Sequence, residues 1–431
     1  MTEFQLGNGL RVVVRRRGTI PLVALRLVVM AGSASDPKGK AGLSDFTAHL
    51  LRRGTQDHSV DELNESVEFV GADLSLGSAE DYMSLRAVTP SEHLGRMLKT
   101  LGEVVRSPSF PAAEFESEKE RLLAQLGNDL DDPEALADRA MLSALWGDHP
   151  YGHDVAGNRR DVRSFTRGDV VRFHAQQMGP QVSTLYIVGA VELSKARALV
   201  EKAFGRWTGG PAAVRWPKAT PLPPLGSVLV VDKPEQTQSQ VRLSAPAFAR
   251  RAKEFFPGVA LNAVLGAGFT SRLMNEIRVN RGLSYGARSG FETMKLGGSF
   301  FISTFTKTES TAEIIRVALD EVKKLRTRGF RPGELKAAQK YVAGVYPLRL
   351  ETNDALAGVL GDIDFYGLGA DWVEKYRERI QAVTPNDAMA VAARYLFPEP
   401  PTLVVVGNAA KVAPQVAKFG KVTVVKPAAV R

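Results

Sequence analysis

The 431-residue chain is built twice over. Thr184-Leu-Tyr-Ile-Val-Gly189 reappears as Thr402-Leu-Val-Val-Val-Gly407. The helix start before it recurs at the same offset, Thr166-Arg-Gly-Asp169 against Thr384-Pro-Asn-Asp387. Each such start places a threonine three residues ahead of an acid, the order that satisfies free amides at a helix N-terminus. Phe110-Pro-Ala-Ala-Glu114, ahead of one long helical stretch, is echoed by Phe330-Arg-Pro-Gly-Glu334 ahead of another. The interval is far too long for a solenoid repeat, so it predicts two domains of one architecture. Pro and Gly from Trp207 to Pro224 forbid regular structure and predict a linker at 208–226 between domains 1–207 and 227–431. Each half opens on alternating strands, such as Leu10–Val14 and Val23–Val29 in the first. An amphipathic helix, a strand pair, long helices and a closing strand follow. This order predicts an α+β class, two homologous mixed α/β sandwich domains with each sheet covered by helices on one face.

Composition excludes several function classes. Cysteine is absent, which removes disulfides and thiolate metal sites. No apolar run reaches the length of a membrane-spanning helix. The opening Met1-Thr-Glu-Phe-Gln-Leu lacks the order of a signal peptide, so a cytoplasmic protein is expected, or a periplasmic one if a leader has been removed. Net charge is +9, but 47 acidic residues are interspersed among 56 basic ones with no long basic tract. Nucleic acid is therefore not an expected partner; the excess favours solubility and acidic partners or peptides.

Residues 42–55 carry the remains of a metal motif. Gly42-Leu-Ser-Asp-Phe-Thr-Ala-His49 has the frame of the inverted zinc motif H-x-x-E-H, with Asp45, Ala48 and His49 in its three chemical positions. On a helix, positions 45 and 49 lie one turn apart and face the same way, as two ligands of one ion must. The acid that should take a proton from metal-bound water is Ala48, whose methyl group cannot. His49 also has an ordinary reading as a helix residue. The other five histidines, His58, His93, His149, His153 and His174, have no ligand spacing.

On these residues the chain resembles the pitrilysin/insulinase family of inverted-motif zinc peptidases, in the small two-domain form of mitochondrial processing peptidase and bacterial paired peptidases. The resemblance runs from the Leu6–Val12 segment to Pro401–Gly407, with Asp148-His-Pro-Tyr-Gly152 as another family-like element. It is strongest over Leu265-Gly-Ala-Gly-Phe-Thr-Ser-Arg-Leu-Met-Asn-Glu-Ile-Arg-Val-Asn-Arg-Gly-Leu-Ser-Tyr285. It implies a third metal ligand on a later helix, where this chain has Gln125, a poor zinc ligand. It implies a clamshell in which one chain supplies zinc and the other an arginine and a tyrosine, here Arg281 and Tyr285, to hold the substrate peptide. The competing role for that pair is structural, Arg281 bound to Glu276 and Tyr285 in the core. The resemblance further implies that substrate lies along a first-domain edge strand, which Gly71–Gly77 resembles.

The expected protein is thus a non-catalytic, substrate-binding subunit of a heterodimeric zinc metallopeptidase. It binds no cofactor itself, and the zinc is expected on a catalytic homologue with an intact motif. The alternatives are a scaffold subunit without a peptidase role, self-associating as a homodimer, and a weak stand-alone peptidase using Asp45 and His49.

Overall fold

The structure is a computed structural model describing residues 1–18 and 20–430, and these divide into two compact units. The first unit is built on a six-stranded sheet. Its strands are β1 (Thr2–Gln5), β2 (Arg11–Arg16), β3 (Leu22–Val29), β4 (Asp73–Ser78), β5 (Met83–Pro90) and β6 (Ser183–Gly189), in the order β1-β2-β6-β3-β5-β4. The second unit has β7 (Ser227–Asp232), β8 (Gln238–Ala247), β9 (Ala287–Thr293), β10 (Gly298–Lys307), β11 (Thr402–Gly407) and β12 (Lys421–Val425), ordered β12-β7-β11-β8-β10-β9. Five positions correspond one for one. In both sheets the closing strand (β6, β11) runs parallel to the opening strand (β2, β7) and antiparallel to the next (β3, β8). Only the outermost strand differs: β1 pairs antiparallel with β2, whereas β12 pairs parallel with β7. The repeated threonines do what their spacing predicts, since Thr166 with Asp169 and Thr384 with Asp387 each form a reciprocal capping box. The two domains are α+β, as expected.

The sheets are not covered on one face only. Every residue of β6 is buried, which a one-faced sheet cannot give. Leu185 and Ile187 join the larger core with Val12, Val14, Leu25 and Leu27. Tyr186 and Val188 turn the other way, to Val13 and Val28. That second face is closed by Leu356, Ala357 and Phe365 of the helix Asn353–Tyr366. This helix comes from the far half of the sequence, and polar contacts fix it to the strands. Tyr82 and Tyr186 donate to Asp362 and Asp364, both at 2.8 Å, Arg11 donates to Asp364 at 2.8 Å, and Tyr366 donates to Asp81 at 3.0 Å. The second sheet receives the converse loan. The helix Pro133–Trp146 packs on β8 and β11, and the buried Arg242 of β8 holds Asp138.

The compact units are therefore interleaved in sequence: residues 1–126, 154–218 and 348–369 against 127–153, 219–347 and 370–431. The physical reason lies in the sheets. Each has two apolar faces, and its own half supplies enough helix to cover one. A fragment of residues 1–207 is accordingly expected not to melt cooperatively by near-UV circular dichroism, because Val13, Val28, Tyr186 and Val188 lose their cover. Adding residues 348–369 in trans should restore part of the signal. A sharp melt for 1–207 alone would show the borrowed helix to be dispensable.

Candidate functional site

The motif helix Leu43–Leu50 begins at Gly42, which has φ +93° and packs so closely that an added Cβ would lie 2.6 Å from the Ala156 carbonyl oxygen. The half-buried carboxylate of Asp36 accepts from the Gly42 and Ser44 amides, both at 2.7 Å, and so fixes the helix entry. The other end is tied to the sheet by Arg52, which donates to the Leu74 carbonyl of β4 at 2.6 Å. Asp45 anchors the same strand, accepting from the Ser78 amide at 2.9 Å.

On this fixed helix Asp45 and His49 face the same way, with Oδ2 and Nε2 3.5 Å apart. The contact with Asp45 lifts the His49 pKa above the ordinary imidazole value, against partial burial. Ala48 points into the core and is 0% exposed. Glu118 and Gln125 come from the long helix Ala112–Asp131. His49 Nδ1 stands 4.0 Å from Glu118 Oε1.

What the motif frame did not reveal is a guanidinium bound to both Glu118 and Gln125. Arg121 grips Glu118 through Nε at 3.0 Å and Nη2 at 2.5 Å, and its Nη1 reaches the Gln125 amide oxygen at 3.3 Å. Arg53 adds a second contact to Glu118 at 2.9 Å. Burial works against the Glu118 charge, but Arg121 and Arg53 outweigh it and hold the carboxyl below its ordinary value. A cation beside Glu118 and Gln125 would meet the positive charge of Arg121. Among the described residues no group of three His, Cys, Asp or Glu side chains is arranged to hold a metal ion. These residues do not fit zinc. The spacing carried a signal for Arg121, three residues after Glu118 and four before Gln125, the separations at which helical side chains meet.

The second pair lies in the other unit. Met274–Asn280 is a wide π-type turn, and Arg281 follows it. Arg281 donates Nε and Nη2 to Glu276 Oε1 at 3.0 and 2.9 Å, so the ion pair of its structural reading is present. The guanidinium stays 39% exposed all the same. Tyr285 is 81% exposed and forms no part of the core. One half of the structural reading holds and the other does not. Glu276 fixes the guanidinium without covering it, and the phenol stands in solvent.

Comparison with known proteins matches both halves. The profile described as Insulinase (Peptidase family M16) matches residues 11–159, and that described as Peptidase M16 inactive domain matches residues 164–342. An uncharacterized zinc protease of Mycobacterium tuberculosis is 28% identical over 91% of this chain and 90% of its own length. One from Streptomyces coelicolor is 24% identical over 93% of this chain and 88% of its own. The crystal structure of a peptidase M16 inactive domain from Pseudomonas fluorescens superposes with a TM-score of 0.88 at 26% identity, covering 94% of this chain and 97% of that one. A Helicobacter pylori protease at 20% identity, TM-score 0.85, shares the fold. Among the described residues no helix is long and apolar enough to cross a membrane. With both profiles in register and the motif frame on its helix, the chain belongs to the insulinase family, peptidase family M16.

Proposed function

We propose that this chain is the non-catalytic, substrate-binding subunit of a two-chain zinc peptidase. One contrast supports the reading: the positions that match the family's hydrolytic set carry altered groups, while those that match its substrate-holding pair carry an arginine and a tyrosine. The hydrolytic set is Asp45, Ala48, His49 and Gln125. Its proton-accepting position is a methyl group buried in the core, and a guanidinium contacts Gln125 and the neighbouring Glu118. The other set, Arg281 and Tyr285, is intact and open to solvent. A guanidinium and a phenol are donors of fixed geometry, suited to gripping peptide carbonyls or an oxyanion formed on a partner's zinc. The partner is a homologue with an intact H-x-x-E-H motif, and the substrates are peptides.

The test is to mix the chain with such a homologue and follow cleavage of an unstructured peptide. Neither chain alone should turn over at the rate of the mixture, and chelation should abolish the mixture's activity. Chelator-sensitive turnover by this chain alone, lost on His49→Ala, would refute the assignment. A mixture no faster than the homologue alone would favour the scaffold role.

A further inference from the structure

The cluster around Glu118 has a second consequence, which does not depend on a partner chain. We propose that the former metal site is a carboxylate receptor, in which Arg53 and Arg121 together take a free carboxylate of an extended peptide. The group bound is a C-terminal carboxylate or an Asp/Glu side chain.

The site is layered by charge. Its floor is Glu118, with 2% of its side chain exposed; its mouth is Arg53 and Arg121, 36% and 48% exposed. One buried carboxylate therefore serves two guanidinium groups, which present their remaining donors at the opening. The other acid, Asp45, is engaged with His49 and the Ser78 amide. Glu118 also presets the receptor. Arg121 is held through two donors and Arg53 through one, so both side chains are oriented before any ligand arrives. Donors remain. Arg53 contacts Glu118 through Nη2 alone, and Nη1 of Arg121 has only the long 3.3 Å contact to the Gln125 amide. Guanidinium groups with spare, oriented N–H donors match the paired oxygens of a carboxylate.

The neighbouring strand indicates a peptide rather than a small ion. β4 is the last strand of its sheet and pairs with β5 on one side only. Arg52 already holds the Leu74 carbonyl and Asp45 the Ser78 amide; the stretch of edge between them can take a short extended segment by main-chain pairing. The Ser78 end of that strand is the end bound by Asp45, on the same helix face as His49. A peptide along the edge thus has its pairing strand and a carboxylate receptor in one place. A dication attracts the scissile carbonyl in an intact site. Here the fixed guanidinium groups select a charged end instead.

Three versions of one unstructured peptide, lacking other acids, distinguish the sources by titration calorimetry with the chain alone. They are a free C-terminus, an amidated C-terminus, and an amidated C-terminus with one internal Glu. The free-acid peptide should bind at least about tenfold more tightly than the amidated one, a difference of about 1.4 kcal/mol. Recovery of binding by the internal Glu assigns the receptor to side chains as well, and no recovery assigns it to C-termini; both support the proposal. Arg53→Gln and Arg121→Gln should each weaken the free-acid peptide by about tenfold. Equal binding of the free-acid and amidated peptides to the unaltered chain would overturn the proposal. So would unchanged affinity in both variants, with melting curves confirming that they fold.

Discussion

Arg281→Ala is expected to lower kcat/KM of the two-chain mixture by about a hundredfold, the usual cost of removing one donor aimed at a developing oxyanion. That corresponds to about 2.7 kcal/mol of transition-state stabilisation. The split between constants identifies the interaction. If Arg281 grips the reacting carbonyl, kcat falls; if it holds a remote carbonyl equally in ground and transition states, only KM rises. Tyr285→Phe, which removes one hydroxyl and keeps the ring, should cost less, about tenfold. Neither change should move the melting temperature much. The Arg281–Glu276 pair is partly exposed, and such pairs contribute only about 0–1 kcal/mol; the Tyr285 ring is in solvent. Activity unchanged by both substitutions would remove these residues from the site. A fall in activity matched by a fall in melting temperature would make their role structural.

The repeat made the architecture legible because strand order and helix caps are local properties. Thr184–Gly189 and Thr402–Gly407 each became the fully buried central strand of a sheet. The exchange of helices was not legible. The segments Pro133–Trp146 and Asn353–Tyr366 have helical patterns wherever they dock, and nothing in a repeat says which sheet each copy covers. One signal was available: β6 and β11 read as unbroken apolar runs, the mark of strands buried on both faces. The motif helix was readable in the same local way, and Asp45 and His49 share a face as their spacing requires. Arg121 stands outside the chemical positions of the motif, so the frame does not point to it. The Arg281–Glu276 pair was readable at five residues' separation, but the exposure of Tyr285 was not. Which side of a loop an aromatic ring takes is decided by the packing around it.

Asp45→His together with Gln125→Glu would supply the two missing ligand types beside His49. Even so, this double variant should hold zinc poorly while Arg121 remains. A guanidinium about 5 Å from a dication is opposed by about 7 kcal/mol at an effective dielectric constant of 20. Arg121 is about half exposed, so water screens the repulsion and the realised penalty shrinks to roughly 1–2 kcal/mol, about tenfold in affinity. Adding Arg121→Ala should recover that factor and bring the protein to about one zinc per chain, read by elemental analysis after dialysis against a weak chelator. Glu118 then loses one of its two cations, and the bound metal offsets the loss. Hydrolysis should still be absent, because Ala48 cannot accept a proton from bound water. Placing Glu at position 48 means burying it where Ala48 is 0% exposed. That change should cost stability before it restores any turnover. Equal zinc affinity with and without Arg121 would show that the guanidinium merely fills space. A tenfold difference would show that the chain replaced the charge of its metal as well as the ligands.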